Sequence, residues 1–259
     1  MAEATHREIL LVPHLFRASN IHSAARAAEM LQDAGITVRL LEQEQMEAIE
    51  TNPVLCGLTR AVADDDAAAG CELVLVLGGD GTFLRAASYA HAQNIPVLGI
   101  NLGHVGFLAE GEASSLEKVV GQVIDRSYRV VDRMTLDVAV IGDGGEVLGR
   151  SWALNECSIE NSDRSRVLDA TLEVEFRPVS SFGCDGVLIS TPTGSTAYAF
   201  SAGGPIMWPQ LEAILVVPNN AHALFAKPLV VAPTSTVAVE SERQTTQATA
   251  VMDGQRRID

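Results

Sequence analysis

Five consecutive apolar residues, Leu73, Val74, Leu75, Val76 and Leu77, run straight into Gly78-Gly79-Asp80-Gly81-Thr82 and then into a polar, helix-like pattern. An unbroken apolar run of strand length fits a strand buried on both faces, as in a parallel sheet, and parallel strands need crossover helices. The rest of the first half agrees. Residues 8–13 (EILLVP) read as a buried strand. Residues 20–31 carry Ile21, Ala24, Ala25, Ala28 and Leu31 at helical spacing, closed by Gly35. Residues 37–41 and 96–100 read as further strands and 82–92 as a helix, while 42–70 is acidic and weakly patterned. Alternating strand and helix predicts a doubly wound parallel α/β domain.

After a helix over 114–125 the texture changes. Residues 136–141, 146–159, 170–176 and 187–190 are strand-like with only turns between, which predicts an all-β, β-sandwich-like second domain. The expected division is an α/β domain over 1–130 and a β-rich domain over 131–259, with the boundary near 128–133. Gly142-Asp143-Gly144-Gly145 suits a hairpin, its glycines supplying positive φ. Residues 173–179 (EVEFRPV) join two strands without glycine or asparagine, as though residues were missing there, and the stop at Asp259 just after a strand-like stretch gives the same impression.

Composition excludes several classes. A formal charge of −15 opposes binding to nucleic acid or an anionic membrane through a general basic face. Apolar stretches are far shorter than the roughly 20 residues that span a bilayer, and the start, MAEATHRE, has no leader-like apolar core. Cys56, Cys71, Cys157 and Cys184 lack metal-type spacing and read as reduced thiols, so a cytoplasmic location is expected. An anionic small ligand would need local devices to hold it.

Four stretches offer such devices. Gly78, Gly79 and Gly81 sit at the carboxyl end of a parallel strand, where open α/β sheets bind ligands, and their backbone N–H groups can reach phosphate oxygens. Thr82 can start a helix whose amino terminus favours an anion. Asp80 is anomalous beside phosphates unless it holds a metal or accepts a proton from a hydroxyl. The pattern is neither the dinucleotide fingerprint nor a P-loop. A second glycine loop, GINLGHVGFLAE over 99–110, follows the next strand and points to one crevice shared by both; its lone His104 reads as a bystander. STPTGSTAYAFS over 190–201 gathers hydroxyls, a glycine and a tyrosine, which suits recognition of a sugar or an amide, and it contains no GxSxG nucleophile elbow. Asn155 and Glu156 end the apolar stretch of ALNECSIE and gain meaning only from the others.

Together GGDGTFLRAA, NLGHVGFLAE, ALNE, DGVLISTPTGSTAYAFSAGGP and MDGQ, in that order over 73–255, resemble the NAD kinase family. The resemblance implies a two-domain fold with NAD in the cleft between the domains, and phosphorylation of the adenosine ribose 2′-hydroxyl by ATP or polyphosphate to give NADP. It implies Asp80 as proton acceptor, Gly81 beside the substrate, and Arg85 at the nucleotide. Asn155 and Glu156 would hold ribose hydroxyls, Asp185 would contact the dinucleotide, Thr196, Ala197, Tyr198, Ala199, Phe200 and Ser201 would line its two ends, and Gln255 would add a contact. Arg166 lies where the family supplies a varying contact, with Arg164 as rival. Mg²⁺ as cofactor and a homo-oligomer, dimer or tetramer, are implied too, with Asp185 serving another chain. Lipid kinases of the diacylglycerol type share GGDGT but would show an interfacial basic or apolar surface, and this acidic chain has no basic amphipathic stretch. A non-catalytic NAD(P) sensor would gain little from Asp80.

Overall fold

The computed structural model describes residues 6–15, 18–42, 49–101, 108, 111–112, 115–163, 166–223, 226–241 and 248–259. The chain divides into two compact units, Met1–Val131 and Asp132–Asp259.

In the first unit the strands are β1 (Glu8–Pro13), β2 (Thr37–Leu41), β3 (Thr59–Ala61), β4 (Leu73–Leu77), β5 (Val97–Asn101) and β6 (Gly111–Glu112). The helices are α1 (Ala18–Asp33), α2 (Pro53–Cys56), α3 (Asp80–Gln93) and α4 (Leu116–Ile124). The sheet is parallel with order β3-β2-β1-β4-β5-β6. Alternation along each strand feeds two cores. Ile9 and Leu11 of β1 with Leu73, Leu75 and Leu77 of β4 pack under α1 and α4. Leu10, Val12, Val74 and Val76 face the other way, toward Ala86 and Ala90 of α3. Helices on both faces make the sheet doubly wound, as the apolar runs predict. The strand order reverses between β1 and β4, which run side by side to Pro13 opposite Leu77. That reversal is where such sheets bind ligands, and Gly78 is the next residue.

Two boundaries differ from expectation. Helix α3 begins at Asp80 rather than Thr82, because Gly79 is its cap and the Gly79 carbonyl accepts from Thr82 N and Phe83 N at 3.0 and 3.1 Å. The weakly patterned 42–70 holds α2 and β3. Asn52 Oδ1 accepts from Val54 N and Leu55 N at 3.1 and 3.2 Å, and Pro53 follows it, a start signal hidden in a short helix.

Glu72, just before β4, ties the end of this unit together. Its carboxylate accepts from Arg7 Nε and Nη2 at 2.8 and 2.9 Å, from Arg126 Nη2 at 2.9 Å and from the Tyr128 hydroxyl at 3.1 Å. Arg7 also donates to the Val123 and Ile124 carbonyls at the end of α4. The Arg7 hydrogen bonds are the main reason the Glu72 carboxyl is held down at about 2, below its ordinary 4.5. A carboxyl held below its unfolded value stabilises the fold above that value and ceases to as pH falls through the folded one. Glu72→Gln should therefore melt earlier at pH 7, by about 1–2 kcal/mol for a half-exposed network. The gap should narrow by pH 3, and equal spacing of the two melting curves at both pH values would refute this.

The second unit contains β7 (Leu136–Ile141), β8 (Val147–Ala153), β9 (Glu156–Asn161), β10 (Leu168–Val174), β11 (Arg177–Cys184), β12 (Gly186–Ser190), β13 (Ile214–Asn219), β14 (Leu229–Val231), β15 (Val237–Ser241), β16 (Ala248–Met252) and β17 (Arg256–Ile258), with α5 (Tyr198–Ser201). An antiparallel sheet of order β14-β13-β12-β9-β16-β17 faces a sheet of order β11-β10-β15. Cys157, Val187, Val216 and Met252 meet Leu168, Ala170, Leu172 and Phe182 in the core. The outer face of the larger sheet packs Leu188, Leu215 and Val217 on Ala199 of α5, Met207 and Ala213.

Here too the sequence reading needs correcting. The run expected over 146–159 is two strands, parted at Leu154 and Asn155, whose N–H groups turn to the Asp253 carboxylate. In the β7–β8 hairpin only Gly145 uses a positive φ, +84°. The β10–β11 hairpin closes with no glycine: Glu175 and Phe176 both adopt the left-handed region, at φ 53° and 58°. Glu175 N donates to Thr236 O and Thr236 N to Glu175 Oε1, each at 2.9 Å, which holds the tight turn. Among the described residues, no helix is long and apolar enough to cross a membrane.

Candidate active site

In the first unit the site grows from the end of β4. A Cβ on Gly78 would lie 2.7 Å from Thr82 Oγ1 and 3.1 Å from His14 Cβ, so only glycine fits between strand end and helix. Gly79 and Gly81 are exposed, and a Cβ on either would meet nothing within 4 Å. Their missing side chains leave open space at the positive end of a 14-residue helix, a place for an anion. Asp80 is half-buried, and its Oδ1 accepts from Leu108 N at 3.1 Å, which fixes the carboxylate at the mouth of the turn. Arg85 follows Gly81 by four residues and so shares its helix face. Its Nε is buried with no hydrogen-bond partner.

In the second unit Asn155 and Glu156 form a turn between β8 and β9 that is gripped from two sides. On one, Asp253 accepts from Leu154 N, Asn155 N and Glu156 N at 3.0, 2.7 and 3.3 Å. On the other, the loop after β12 presses in: Thr191 N and Ser190 Oγ donate to Asn155 O at 2.9 and 3.2 Å, and Thr191 Oγ1 donates to Leu154 O at 2.6 Å. A Cβ on Gly194 would lie 2.1 Å from Asn155 O. Ser195 Oγ donates to Pro192 O at 2.7 Å and accepts from Met207 N at 2.8 Å. The hydroxyls of Ser190, Thr191 and Ser195 are thus buried and hold the loop's own shape rather than face a ligand.

Asn155 Oδ1 and Glu156 Oε2 are buried without partners. The Glu156 carboxyl is pushed up to about 7, chiefly by burial and then by the Asp253 charge, against the pull of the Tyr198 backbone N–H. Tyr198 also places its hydroxyl to accept from Asn219 Nδ2 at 3.1 Å.

The remaining expected residues scatter. Thr196 and Ala197 are half-buried, and Phe200, Ser201 and Gln255 are exposed. The Ala199 side chain is fully buried in the core and offers a ligand only backbone. Asp185 lies at the opposite end of β12 from the strand end that pairs with Glu156, and its Oδ2 accepts from Asn220 Nδ2 at 2.8 Å. Arg166 is exposed and paired with Asp163 at 3.2 Å. Arg164, His104 and most of the loop over 99–110 lie outside the described residues. Sequence reasoning missed Asp253. The Asp-Gly of MDGQ signals a turn, which forms, with φ +53° and +67°; nothing in it signals a carboxylate aimed at a strand end nearly 100 residues away.

Comparisons with known proteins agree along the whole chain. Residues 9–128 match the family model of the ATP-NAD kinase N-terminal domain, and residues 154–259 that of the ATP-NAD kinase C-terminal domain. The NAD kinase of Corynebacterium efficiens is 68% identical over 258 residues, covering 100% of this chain and 81% of its own length. That of Corynebacterium diphtheriae is 62% identical, covering 97% of this chain and 80% of its own. Among solved structures, yeast NADH kinase complexed with NADH shares the fold, with a TM-score of 0.84 at 22% identity over 99% of this chain and 76% of its own. An NAD kinase from Archaeoglobus fulgidus in complex with ATP aligns with a TM-score of 0.73 at 25% identity over 98% of this chain and 86% of its own.

Proposed function

This chain belongs to the NAD kinase family, and on that premise we propose that Asp80 takes the proton of the adenosine ribose 2′-hydroxyl as that hydroxyl accepts a phosphoryl group. The enzyme transfers the terminal phosphoryl group of ATP to NAD, giving NADP. The hydroxyl oxygen bonds to the terminal phosphorus, the bond from that phosphorus to the bridging oxygen breaks, ADP leaves, and the proton passes to the Asp80 carboxylate. A ribose hydroxyl is a poor nucleophile at neutral pH, so a positioned base and fixed charges do most of what a kinase can do.

One observation carries the assignment of the binding residues. Five buried side-chain polar atoms among the described residues have no hydrogen-bond partner: besides Arg60 Nη1 and Arg256 Nε, they are Arg85 Nε, Asn155 Oδ1 and Glu156 Oε2, and buried polar groups are as a rule satisfied. These last three belong to residues matched to nucleotide or ribose. A guanidinium at the helix start suits phosphate, and a carboxylate beside an amide oxygen suits two hydroxyls.

Among the described residues, no group of three or more His, Cys, Asp or Glu could hold a metal. Mg²⁺ fits nonetheless, since it keeps several waters and would be held here mainly by the substrate phosphates beside the Gly79–Gly81 turn, which leaves the Asp80 carboxylate to take the proton. When bound, the ion offsets charge on the phosphates. Polyphosphate is the alternative donor. The assembly is proposed to be a homo-oligomer in which the exposed Asp185, remote from Glu156 along β12, contacts a neighbouring subunit's dinucleotide. Four free thiols accord with the proposed cytoplasmic location.

The test is direct: NAD and Mg²⁺ with either ATP or polyphosphate, and NADP read out by an NADP-specific dehydrogenase. No NADP from either donor overturns the reading. Gly81→Ala sharpens it. Inside a helix alanine is favoured over glycine by up to about 1 kcal/mol, and the new methyl would meet no protein atom. The variant should melt no lower than wild type, yet lose roughly 10-fold or more of its turnover, because the methyl occupies the space read here as the substrate's. Full turnover would show that nothing approaches Gly81.

A further inference from the structure

We propose that Asp253 and Arg256 form a charge pair that positions the Asn155–Glu156 turn and sets the pH range over which the protein binds NAD, a role that rests on the ribose-holding reading of that turn. The carboxylate of Asp253 is almost wholly buried, its side chain 1% exposed. It receives the three successive N–H groups of Leu154, Asn155 and Glu156, and its own N–H returns to Glu156 O at 2.9 Å. The turn is thereby fixed from the far end of the chain. A buried carboxylate also needs a counter-charge. Arg256 supplies it, Nη2 donating to Asp253 Oδ2 at 2.7 Å and to Trp152 O at 2.9 Å, with its guanidinium 4.2 Å from the Trp152 ring centre.

This pair stands beside Glu156. The groups set against that carboxyl are Asp253 from the β16–β17 turn with Arg256 of β17 behind it, the Tyr198 N–H from α5, Ser190 opposite on β12, and Cys157 next on β9. Burial first, with the charges of Asp253 and Glu156 behind it, also pushes the Cys157 thiol up to about 12, so the pocket disfavours added negative charge generally. Ionised, Glu156 can accept from two ribose hydroxyls; protonated, it gives up one of those acceptor sites. NAD affinity should therefore fall on the acid side of about pH 7. Loss of the Asp253 charge lets Glu156 ionise at lower pH. Loss of Arg256 leaves Asp253 uncompensated and raises the pH that Glu156 requires.

Asp253→Asn and Arg256→Met lose the same ion pair, so a purely structural role predicts that both melt lower and both bind NAD more weakly with an unmoved pH profile. The charge-pair role predicts opposite displacements. Calorimetric titration of the full chain with NAD from pH 5.5 to 8.5 should place the acid limb of affinity lower for Asp253→Asn and higher for Arg256→Met, by roughly 0.5 to 1 pH unit each. Binding is read rather than turnover, so the chemistry at Asp80 does not enter. If Asp253→Asn does not fold, the alkaline displacement in Arg256→Met decides alone. Asn155→Ala and Glu156→Ala titrate alongside: unchanged NAD curves for both overturn the ribose-holding reading and the proposal with it. Altered curves there, with displacements in the same direction or none for the pair variants, overturn the pair's role only.

Discussion

Asp80→Asn should lower kcat by roughly 10²- to 10⁴-fold, the usual contribution of a positioned general base, while NAD affinity and melting temperature stay near wild type. Asparagine keeps the size of the side chain and an oxygen to accept from Leu108 N, so the local architecture has no reason to change. What it loses is the ability to take a proton at neutral pH. The competing role, capping of the following helix, predicts near-normal turnover with a small loss of stability. The geometry already weakens it, because the cap is Gly79 and Asp80 stands inside the first turn. A residual contribution from the carboxylate's charge at a helix amino terminus is about 0.3–1 kcal/mol, small enough to separate from a hundredfold kinetic effect. Turnover and thermal melting on one preparation decide the matter. An Asp80→Asn protein that keeps more than about a tenth of wild-type kcat sinks the general-base role.

How much of this was legible beforehand depended on whether a feature is written locally. Leu73–Leu77 declared a strand buried on both faces because all five side chains must be apolar when sheet faces are covered on both sides. The doubly wound domain followed from that run and its neighbours. The start of α3 was misplaced by two residues because Thr82 carries a capping side chain and Gly79 does not, while the backbone chose the glycine. Glu175 and Phe176 turn a hairpin against their own preference, held by Thr236 just ahead of β15 and far along the chain, so no local signal could announce them. The site behaved the same way. Asp80, Gly81, Asn155 and Glu156 stand in short distinctive motifs. The hydroxyls of STPTGST looked like ligand contacts, but tertiary structure turned Ser190, Thr191 and Ser195 inward to build the loop. Asp253 was invisible because the groups that tie it to the Asn155 turn are backbone N–H groups, which leave no trace in a sequence, while its side-chain partner Arg256 reads as an ordinary local ion pair.

Gly194→Ala should be the most damaging single methyl in the second unit, although Gly194 lies in an ordinary region of φ. Its added Cβ would fall 2.1, 2.3 and 2.6 Å from the O, C and Cα of Asn155, all backbone atoms with no rotamer to swing aside. Nor can the Asn155 turn retreat, since Asp253 grips it from the other side through three N–H groups. The loop must therefore lift, breaking the bonds from Thr191 and Ser190 to the carbonyls of Leu154 and Asn155. Overpacking of this kind costs about 3 kcal/mol, and orphaned buried carbonyls add to it. Because the same displacement moves Asn155 and Glu156, NAD affinity should fall by roughly 10-fold or more in whatever fraction stays folded. Gly121→Ala is the matched control: it sits within α4, a Cβ there meets nothing within 4 Å, and it should melt no lower than wild type. A Gly194→Ala protein that melts within about 2 °C of wild type and titrates NAD unchanged would mean that the loop is not seated on the Asn155 turn.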